Sequence, residues 1–321
     1  MKIYNLDYGF NIKTTKIFKI FSFFFIPLLI KFNFSDELNN KIKFYISPKK
    51  ELAKWYKRRT GDDLNIDNPQ TFNEKIQWMK LYDSNHTKTL LADKYLVRDW
   101  VKSRIGEEHL IKLLGVWDNF DDIDFDKLPK QFVLKCNHGC GYNIIVRDKS
   151  KLDIKNAKHK LETWLNEDFA FKNGFEMHYS KIPRKIIAEE YIPEVDKSAI
   201  DYKFICFNGE PFLCWITDKS LKKYERMFYK LPEWEPQDIE YLDGWAILAK
   251  NPIQKPKQLD KIIEICKTLS KGFPLVRVDL YVTDEKILFG EMTFTTSSGR
   301  AKFSPDKWNY ILGEKIILPK K

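Results

Sequence analysis

Read for the spacing of its apolar positions, the chain divides into a helical first third and a mixed remainder. Residues 51–59 predict a basic helix, stopped by Thr60-Gly61. Asn68-Pro69-Gln70-Thr71 marks a turn, and Thr71-Phe72-Asn73-Glu74 has the form of a capping box in which Glu74 reaches back to the Thr71 amide. The helix that follows sets Ile76, Met79 and Leu81 on a buried side. Residues 90–105 predict one further amphipathic helix, carrying Asp93, Lys94 and Arg98 and ending near Gly106. After Leu128-Pro129 the period shortens toward two. Residues 131–137 and 143–148 predict strands on either side of His138-Gly139-Cys140-Gly141. A helix over 153–167 leads through a basic, aromatic loop to a strand at 185–192, closed by Pro193. Residues 201–207 and 211–217 form a hairpin around Asn208-Gly209, the strongest short turn signal in the chain. Residues 218–254 carry Trp234, Pro236 and Trp245 without a clear period, which predicts a lid or substrate loop. An amphipathic helix at 256–271 follows. Helices and strands alternate irregularly, with several antiparallel hairpins and no internal repeat, so the class is α+β and not doubly wound.

The most informative pattern lies near the C-terminus, where two β-runs at 275–283 and 286–294 are joined by the short Asp284-Glu285 turn. Period two places Arg277, Asp279 and Tyr281 on one face of the first run, and Glu291, Thr293 and Thr295 on one face of the second. If the hairpin pairs around its turn, Asp279 and Glu291 lie side by side with Arg277 nearby. Two carboxylates on a rigid sheet beside a guanidinium suit Mg²⁺ and polyphosphate, because hard cations take oxygen ligands and Arg grips phosphate oxygens in pairs. A surface hairpin with its charges in water has the same pattern. Lys135, at a strand end beside two glycines, has the makings of a phosphate cradle, although a plain hairpin turn reads the same way. It is no Walker loop, since the spacing differs and no helix follows the lysine directly. Cys136, His138 and Cys140 stand too close together for an ordinary zinc knuckle, and no second ligand pair is evident.

With 321 residues the chain has room for one large or two ordinary domains with real cores. Its five cysteines are odd in number and sit mostly in apolar strand-like runs, which predicts reduced thiols in the cytoplasm. The net charge of +10 is uneven: residues 1–60 hold 13 Lys/Arg against 4 Asp/Glu, and the remainder 42 against 41. A nucleic-acid enzyme would carry the basic excess on its working body, so none is expected as a partner. Within the basic end, residues 20–30 are apolar apart from Ser22, with Lys13, Lys16 and Lys19 before and Lys31 after. Such a run rises about 16 Å as a helix, roughly half a bilayer core, so it does not span. No small-residue cleavage site follows it, which argues against a signal peptide. It can lie in the interface of an anionic membrane, giving peripheral contact through residues 10–45, or dock on the protein's own core.

Thr71-Phe72-Asn73-Glu74-Lys75, Ala92-Asp93-Lys94, Phe132-Val133-Leu134-Lys135, Glu189-Glu190-Tyr191-Ile192, Asp201-Tyr202-Lys203, Cys206-Phe207-Asn208-Gly209, Arg277-Val278-Asp279 and Gly290-Glu291-Met292-Thr293 occur in that order. Together they resemble the TupA-like branch of the ATP-grasp superfamily, whose setting is bacterial capsule and surface-polysaccharide biosynthesis. The resemblance covers residues 50–315. It implies an ATP-grasp fold of two α+β subdomains clasping ATP, preceded by a helical region. The implied divisions are a basic appendage at 1–47, a helical region at 48–115, and a subdomain with the phosphate loop at 116–188. The hinge and metal-binding subdomain then take 189–315, with a tail at 316–321.

By the same resemblance, Lys135 holds nucleotide phosphates under a flexible loop containing Gly139 and Gly141. Glu189, Glu190, Tyr191 and Ile192 form the hinge at adenine, where a glutamate holds adenine or the ribose. Lys203 is a second phosphate-side lysine, Arg277 faces the triphosphate or an acyl phosphate, and Asp279 and Glu291 hold Mg²⁺. Thr293 stands where the family pattern has Asn, which puts the second metal in question. The implied cofactors are ATP and Mg²⁺. The implied reaction joins a carboxylate to an amine through an acyl phosphate, the carboxylate being a small molecule or a glycan. A phosphotransferase acting on a sugar would need the same nucleotide site. A glycosyltransferase would want an Asp-x-Asp, found here only in the loop-like run Asp122-Ile123-Asp124-Phe125-Asp126. A non-catalytic scaffold for polymer assembly would have no use for Lys135, Asp279 and Glu291. The expected location is cytoplasmic, at the inner face of the cytoplasmic membrane if the N-terminal helix binds there, beside polysaccharide-assembly enzymes.

Overall fold

The structure is a computed structural model that describes residues 36–198, 200–218, 224–242, 244, 246–283, 285–300 and 302–320. The apolar run at 20–30, Trp245 and the turn residue Asp284 lie outside the described residues. Helices α1 (Asp36–Ile46), α2 (Pro48–Thr60), α3 (Phe72–Tyr82), α4 (His86–Ala92) and α5 (Val97–Ile105) come first. Strands β1 (Leu113–Trp117), β2 (Phe132–Cys136) and β3 (Asn143–Val146) precede α6 (Ile154–Asn166), α7 (Phe169–Lys172), β4 (Ile186–Glu190) and α8 (Pro193–Ser198). Then follow β5 (Ile200–Phe207), β6 (Glu210–Asp218), β7 (Tyr224–Lys230), β8 (Glu235–Gln237), β9 (Glu240–Leu242) and β10 (Ala246–Leu248). The chain closes with α9 (Leu259–Ser270), β11 (Leu275–Val282), β12 (Ile287–Thr293), β13 (Lys302–Ser304) and α10 (Lys307–Lys315).

Among the described residues, a small sheet runs in the order β1-β4-β2-β3, and a larger one in the order β10-β7-β6-β5-β11-β12 with β8 on β7. The small sheet packs Phe132, Leu134, Ile186 and Ala188 under Ala157 and Leu161 of α6. The large sheet is buried on both faces, and its alternation explains how. Even-numbered Phe204, Cys206, Cys214, Val276 and Val278 meet Ile262, Cys266 and Leu269 of α9. Odd-numbered Ile205, Phe207, Leu213 and Leu275 meet Ile76 and Met79 of α3 and Leu312 of α10. That same odd-numbered face turns charged further along, at Arg277, Asp279 and Lys203, where the helices no longer cover it. Mixed α+β architecture is thus as the sequence implies.

Four local readings change. The helix expected over 90–105 breaks, because Asp93 Oδ1 accepts from the amides of Tyr95 (2.8 Å) and Leu96 (3.2 Å) and starts a new turn before α5. Strand β1 begins inside the region 48–115, grouped as helical. The segment at 218–254, read as a loop, contains β7, β8, β9 and β10, short strands that extend the large sheet or pair with β13. Residues 36–46, grouped with the appendage, form α1, and Phe44 packs 4.4 Å from the Phe175 ring. The capping box at Thr71 forms as read, with Glu74 accepting from the Thr71 amide at 2.9 Å. No helix among the described residues is long and apolar enough to cross a membrane.

The β11–β12 hairpin carries one irregularity that decides the site. Leu280, Tyr281 and Val282 face Phe289, Leu288 and Ile287 in regular register, which would next set Asp279 against Gly290. A bulge at this point places Asp279 opposite Glu291 instead, so both carboxylates share a face. Gly290 makes room for it: a Cβ there would stand 3.0 Å from the Asp279 carbonyl oxygen and 3.5 Å from the Tyr281 ring. Gly290→Val is expected to destabilise the fold by about 1–3 kcal/mol through this crowding. Urea unfolding would check it, and an unchanged midpoint would contradict the role of the bulge.

Candidate active site

On β11, Arg277 and Asp279 point to the same side, two residues apart. The guanidinium clasps the carboxylate with both arms, Nε to Oδ1 at 2.6 Å and Nη2 to Oδ2 at 2.7 Å, and reaches Glu291 Oε1 at 3.1 Å. Lys203 on β5 lies directly opposite Asp279, its Nζ 3.9 Å from Oδ2 and 3.1 Å from Asp201 Oδ2. Thr293 donates its hydroxyl to Glu291 Oε1 at 3.2 Å. Behind this row the Trp215 ring supports the Arg277 guanidinium at 5.4 Å.

The two acids titrate apart. Burial holds the Asp279 carboxyl above the usual range despite Arg277 and Lys203. For Glu291 burial pushes the same way, but Lys94, Arg277 and Lys203 outweigh it and the carboxyl sits low. The surrounding cations thus outweigh burial at Glu291 and offset it only in part at Asp279.

The other wall is the small sheet. Lys135 on β2 donates to Glu189 Oε2 on β4 at 2.5 Å, and Arg98 of α5 meets Glu189 Oε1 at 3.1 Å. Burial lowers the Lys135 pKa, but Glu189, Tyr281 and Glu291 raise it above the ordinary lysine value, so the ammonium stays charged. Two of those three groups belong to the large sheet, so Lys135 lies within electrostatic reach of Glu291 from the other sheet. The Tyr281 phenol is pushed up to about 12 by burial, against the opposing pull of Lys135.

The loop after β2 lies over the acids. Lys94 Nζ donates to the Gly139 carbonyl at 2.5 Å and stands 3.8 Å from Glu291 Oε2. Gly141 has φ 76, a conformation glycine adopts freely. Gly139 lies against the Tyr142 ring, with 2.4 Å left for a Cβ. The root of the loop is Asn137. Its amide donates to Asp93 Oδ1 (2.9 Å) and the Pro183 carbonyl (2.8 Å), and its oxygen accepts from the Lys185 amide (2.7 Å).

All the residues expected at the metal and phosphate end (Lys135, Gly139, Gly141, Lys203, Arg277, Asp279, Glu291 and Thr293) thus come to one region. The expected hinge residues divide. Glu189 turns inward to Lys135 and Arg98, so it can reach adenine or ribose only by opening that bridge. Glu190 is exposed, and Tyr191 donates to Asp196 Oδ2 at 2.6 Å. Ile192 follows at the exit from the small sheet, just before α8. Lys94, Arg98 and Asn137 belong to the site and were not read as such. Lys94 stands in the Ala92-Asp93-Lys94 run, but nothing in local spacing shows which cation a distant loop will claim.

Cys136 is buried, Cys140 exposed, and His138 Nε2 lies 3.0 Å from the Trp164 carbonyl oxygen. Among the described residues no group of three or more His, Cys, Asp or Glu could hold a metal ion. The acidic pair with Thr293 suits Mg²⁺, which is bound by one or two carboxylates together with waters and phosphates. The Asp124 carboxylate pairs with Lys127 at 3.0 Å in a short surface turn, away from this cluster.

The family model of TupA-like ATP-grasp proteins matches residues 74–317. The chain belongs to that family. No curated protein matches it in sequence. Among solved structures, this ATP-grasp chain is similar to D-alanine–D-alanine ligase from Bacillus anthracis complexed with ATP, at 16% identity and TM-score 0.36, over 64% of this chain and 54% of that one. It therefore spans about half the length of that ligase. The D-alanine–D-alanine ligase from Helicobacter pylori is 14% identical with TM-score 0.39, over 77% of this chain and 69% of the other. The ATP-grasp ligase PsnB, complexed with a phosphomimetic variant of its minimal precursor, Mg and ADP, is 9% identical with TM-score 0.35, over 68% of this chain and 57% of that one.

Removing the guanidinium tests the charge compensation. In Arg277→Leu, burial and Glu291 hold Asp279 protonated, raising its folded-state pKa further above the unfolded value. A carboxyl raised in this way costs stability that grows as pH climbs from the unfolded pKa through the folded one. Urea unfolding is expected to show a loss of about 3–5 kcal/mol near pH 8 and a smaller one near pH 4. A loss independent of pH would contradict this account.

Proposed function

We propose that the protein is an ATP-dependent carboxylate–amine ligase that works through an acyl phosphate and modifies a capsular or other surface polysaccharide or its precursor. The observation that carries the reading is the pairing of Asp279 with Glu291 across a bulged hairpin, ringed by Arg277, Lys203, Lys94 and, from the opposite sheet, Lys135. Family membership supports the nucleotide. The polysaccharide setting rests on the resemblance alone.

Asp279 and Glu291, with Thr293 beside them, would hold Mg²⁺, which when bound neutralises charge on the phosphate oxygens. Lys135, Lys203 and Arg277 would bind the triphosphate, and Lys94 would hold the loop at Gly139 and Gly141 over it. Glu189 must release Lys135 as the lysine takes up a phosphate, whose negative charge then takes over from Glu189 in keeping the buried ammonium charged. The substrate carboxylate then attacks the γ-phosphate, ADP leaves, and an amine displaces phosphate from the acyl phosphate to give an amide. The protein's part is positioning and charge neutralisation, with water kept from the reactive intermediate. Cys206 is fully buried and serves the core.

Glu291→Ala is expected to abolish ATP turnover while leaving the circular dichroism spectrum and thermal unfolding close to wild type. Turnover at the wild-type rate would remove the metal assignment. A screen of sugar acids against amino acids, read by acceptor-dependent ADP release and mass spectrometry, tests the reaction class. An amide product supports ligation, a phosphorylated sugar makes the protein a phosphotransferase, and the absence of any acceptor-dependent ADP release overturns both.

We also place the protein in the cytoplasm, in contact with the inner membrane face through its basic N-terminal end. Deleting residues 1–35, which spares α1, is expected to lower sedimentation with phosphatidylserine vesicles at least fivefold. Unchanged partitioning would refute the contact.

A further inference from the structure

Helix α3 buries three polar residues, Asn73, Gln77 and Lys80, and the last two lie deepest. Gln77 is wholly buried and Lys80 is 1% exposed. Gln77 Nε2 donates to the carbonyls of Gly299 (2.6 Å) and Ser298 (2.9 Å). Lys80 Nζ donates to the Ser298 carbonyl (2.7 Å), the Ser298 hydroxyl (2.7 Å) and the Gly174 carbonyl (2.9 Å). An ammonium has three donors, and each of these finds an acceptor. The Trp55 ring adds a face 4.4 Å away.

What they grip is an unusual piece of backbone. Ser297, Ser298 and Gly299 all have positive φ, at 46°, 55° and 61°. Two serines in that region persist only where their surroundings enforce it, and strain of this kind gathers at functional sites. The turn begins three residues beyond Thr293, on the same stretch of chain as Glu291.

A second buried group joins the turn to the acidic pair. Glu176 accepts a hydrogen bond from the Thr295 hydroxyl, and burial holds its carboxyl above the usual range although Lys80 pulls it down. Thr295 continues the row of Glu291 and Thr293, whose hydroxyl donates to Glu291. The 176–179 segment also packs against the chain just past β12, with the His178 ring 6.0 Å from the Phe294 ring. Buried charges are costly to desolvate, and Lys80 with Glu176 contributes nothing to the nucleotide-facing set.

We propose that Lys80, Glu176 and Thr295 are positioning residues that fix the end of β12, holding the Glu291 carboxylate and the 296–299 turn in register with the ATP site. This rests on reading Glu291 as a Mg²⁺ ligand. The helical region before the sheets is then part of the working site.

Calorimetry of AMP-PNP binding over a Mg²⁺ titration, with amide hydrogen exchange at residues 296–300, tests it. Thr295→Val is expected to raise the Mg²⁺ concentration for half-maximal binding at least fivefold, and Thr295→Ser to return it to within twofold of wild type. Lys80→Met and the milder Ser298→Ala are expected to speed exchange in the turn at least tenfold. A Thr295→Val variant with the wild-type Mg²⁺ requirement, or one no worse than Thr295→Ser, overturns the proposal. So does unchanged exchange in Ser298→Ala. If Glu291→Ala also keeps the wild-type Mg²⁺ requirement, the metal reading falls. If only Thr295→Val does so, the positioning claim falls alone.

Discussion

Two carboxylates set side by side and taken out of water repel one another, and one of them gains a proton unless cations stand close by. Much of this protein's construction near residues 277–293 can be understood as meeting that condition. Arg277 spans both acids from the same strand, Lys203 approaches from the neighbouring one, and Lys94 arrives from the helical region. On the function proposed above, a divalent cation and a polyphosphate would suit this balance, the cation taking carboxylate oxygens and the phosphates taking the guanidinium and ammonium groups.

How much of this could be read from residues alone depends on the range of the interaction. Period two along a strand is a local property, so the shared face of Arg277 and Asp279, and that of Glu291 and Thr293, was legible. Their meeting across the hairpin was less so, because a regular ladder from the turn opposes Asp279 to Gly290 and only the bulge corrects it. The capping box at Thr71 was legible for the same local reason. By contrast, residues 90–105 look like one helix by periodicity, and the break comes from Asp93 turning its carboxylate on the following amides and on Asn137. The four strands between residues 218 and 254 are three to seven residues long and partly charged, too brief to establish a period.

Side-chain partnerships between distant elements were the least accessible. Glu189 reads as a hinge glutamate, yet its carboxylate lies between Lys135 and Arg98, elements 54 and 91 residues away in sequence. Lys80 reads as one more lysine on an amphipathic helix, and its burial against Ser298 depends on a turn 218 residues downstream. Propensity and pattern carry no information about such pairings. The family resemblance supplied the nucleotide-binding roles, and the fold supplied the neighbours.

Asn137 has a mechanical consequence. One amide side chain joins the turn before α5, the Pro183 carbonyl and the Lys185 amide, at the very root of the glycine loop. The small sheet is thereby tied to the turn bearing Lys94, while Leu91, Val97 and Val101 on either side of that turn pack into the core of the large sheet. One short turn therefore couples the two walls of the site, and it reaches the acids through the 3.8 Å approach of Lys94 to Glu291, the longer of the two ion pairs there.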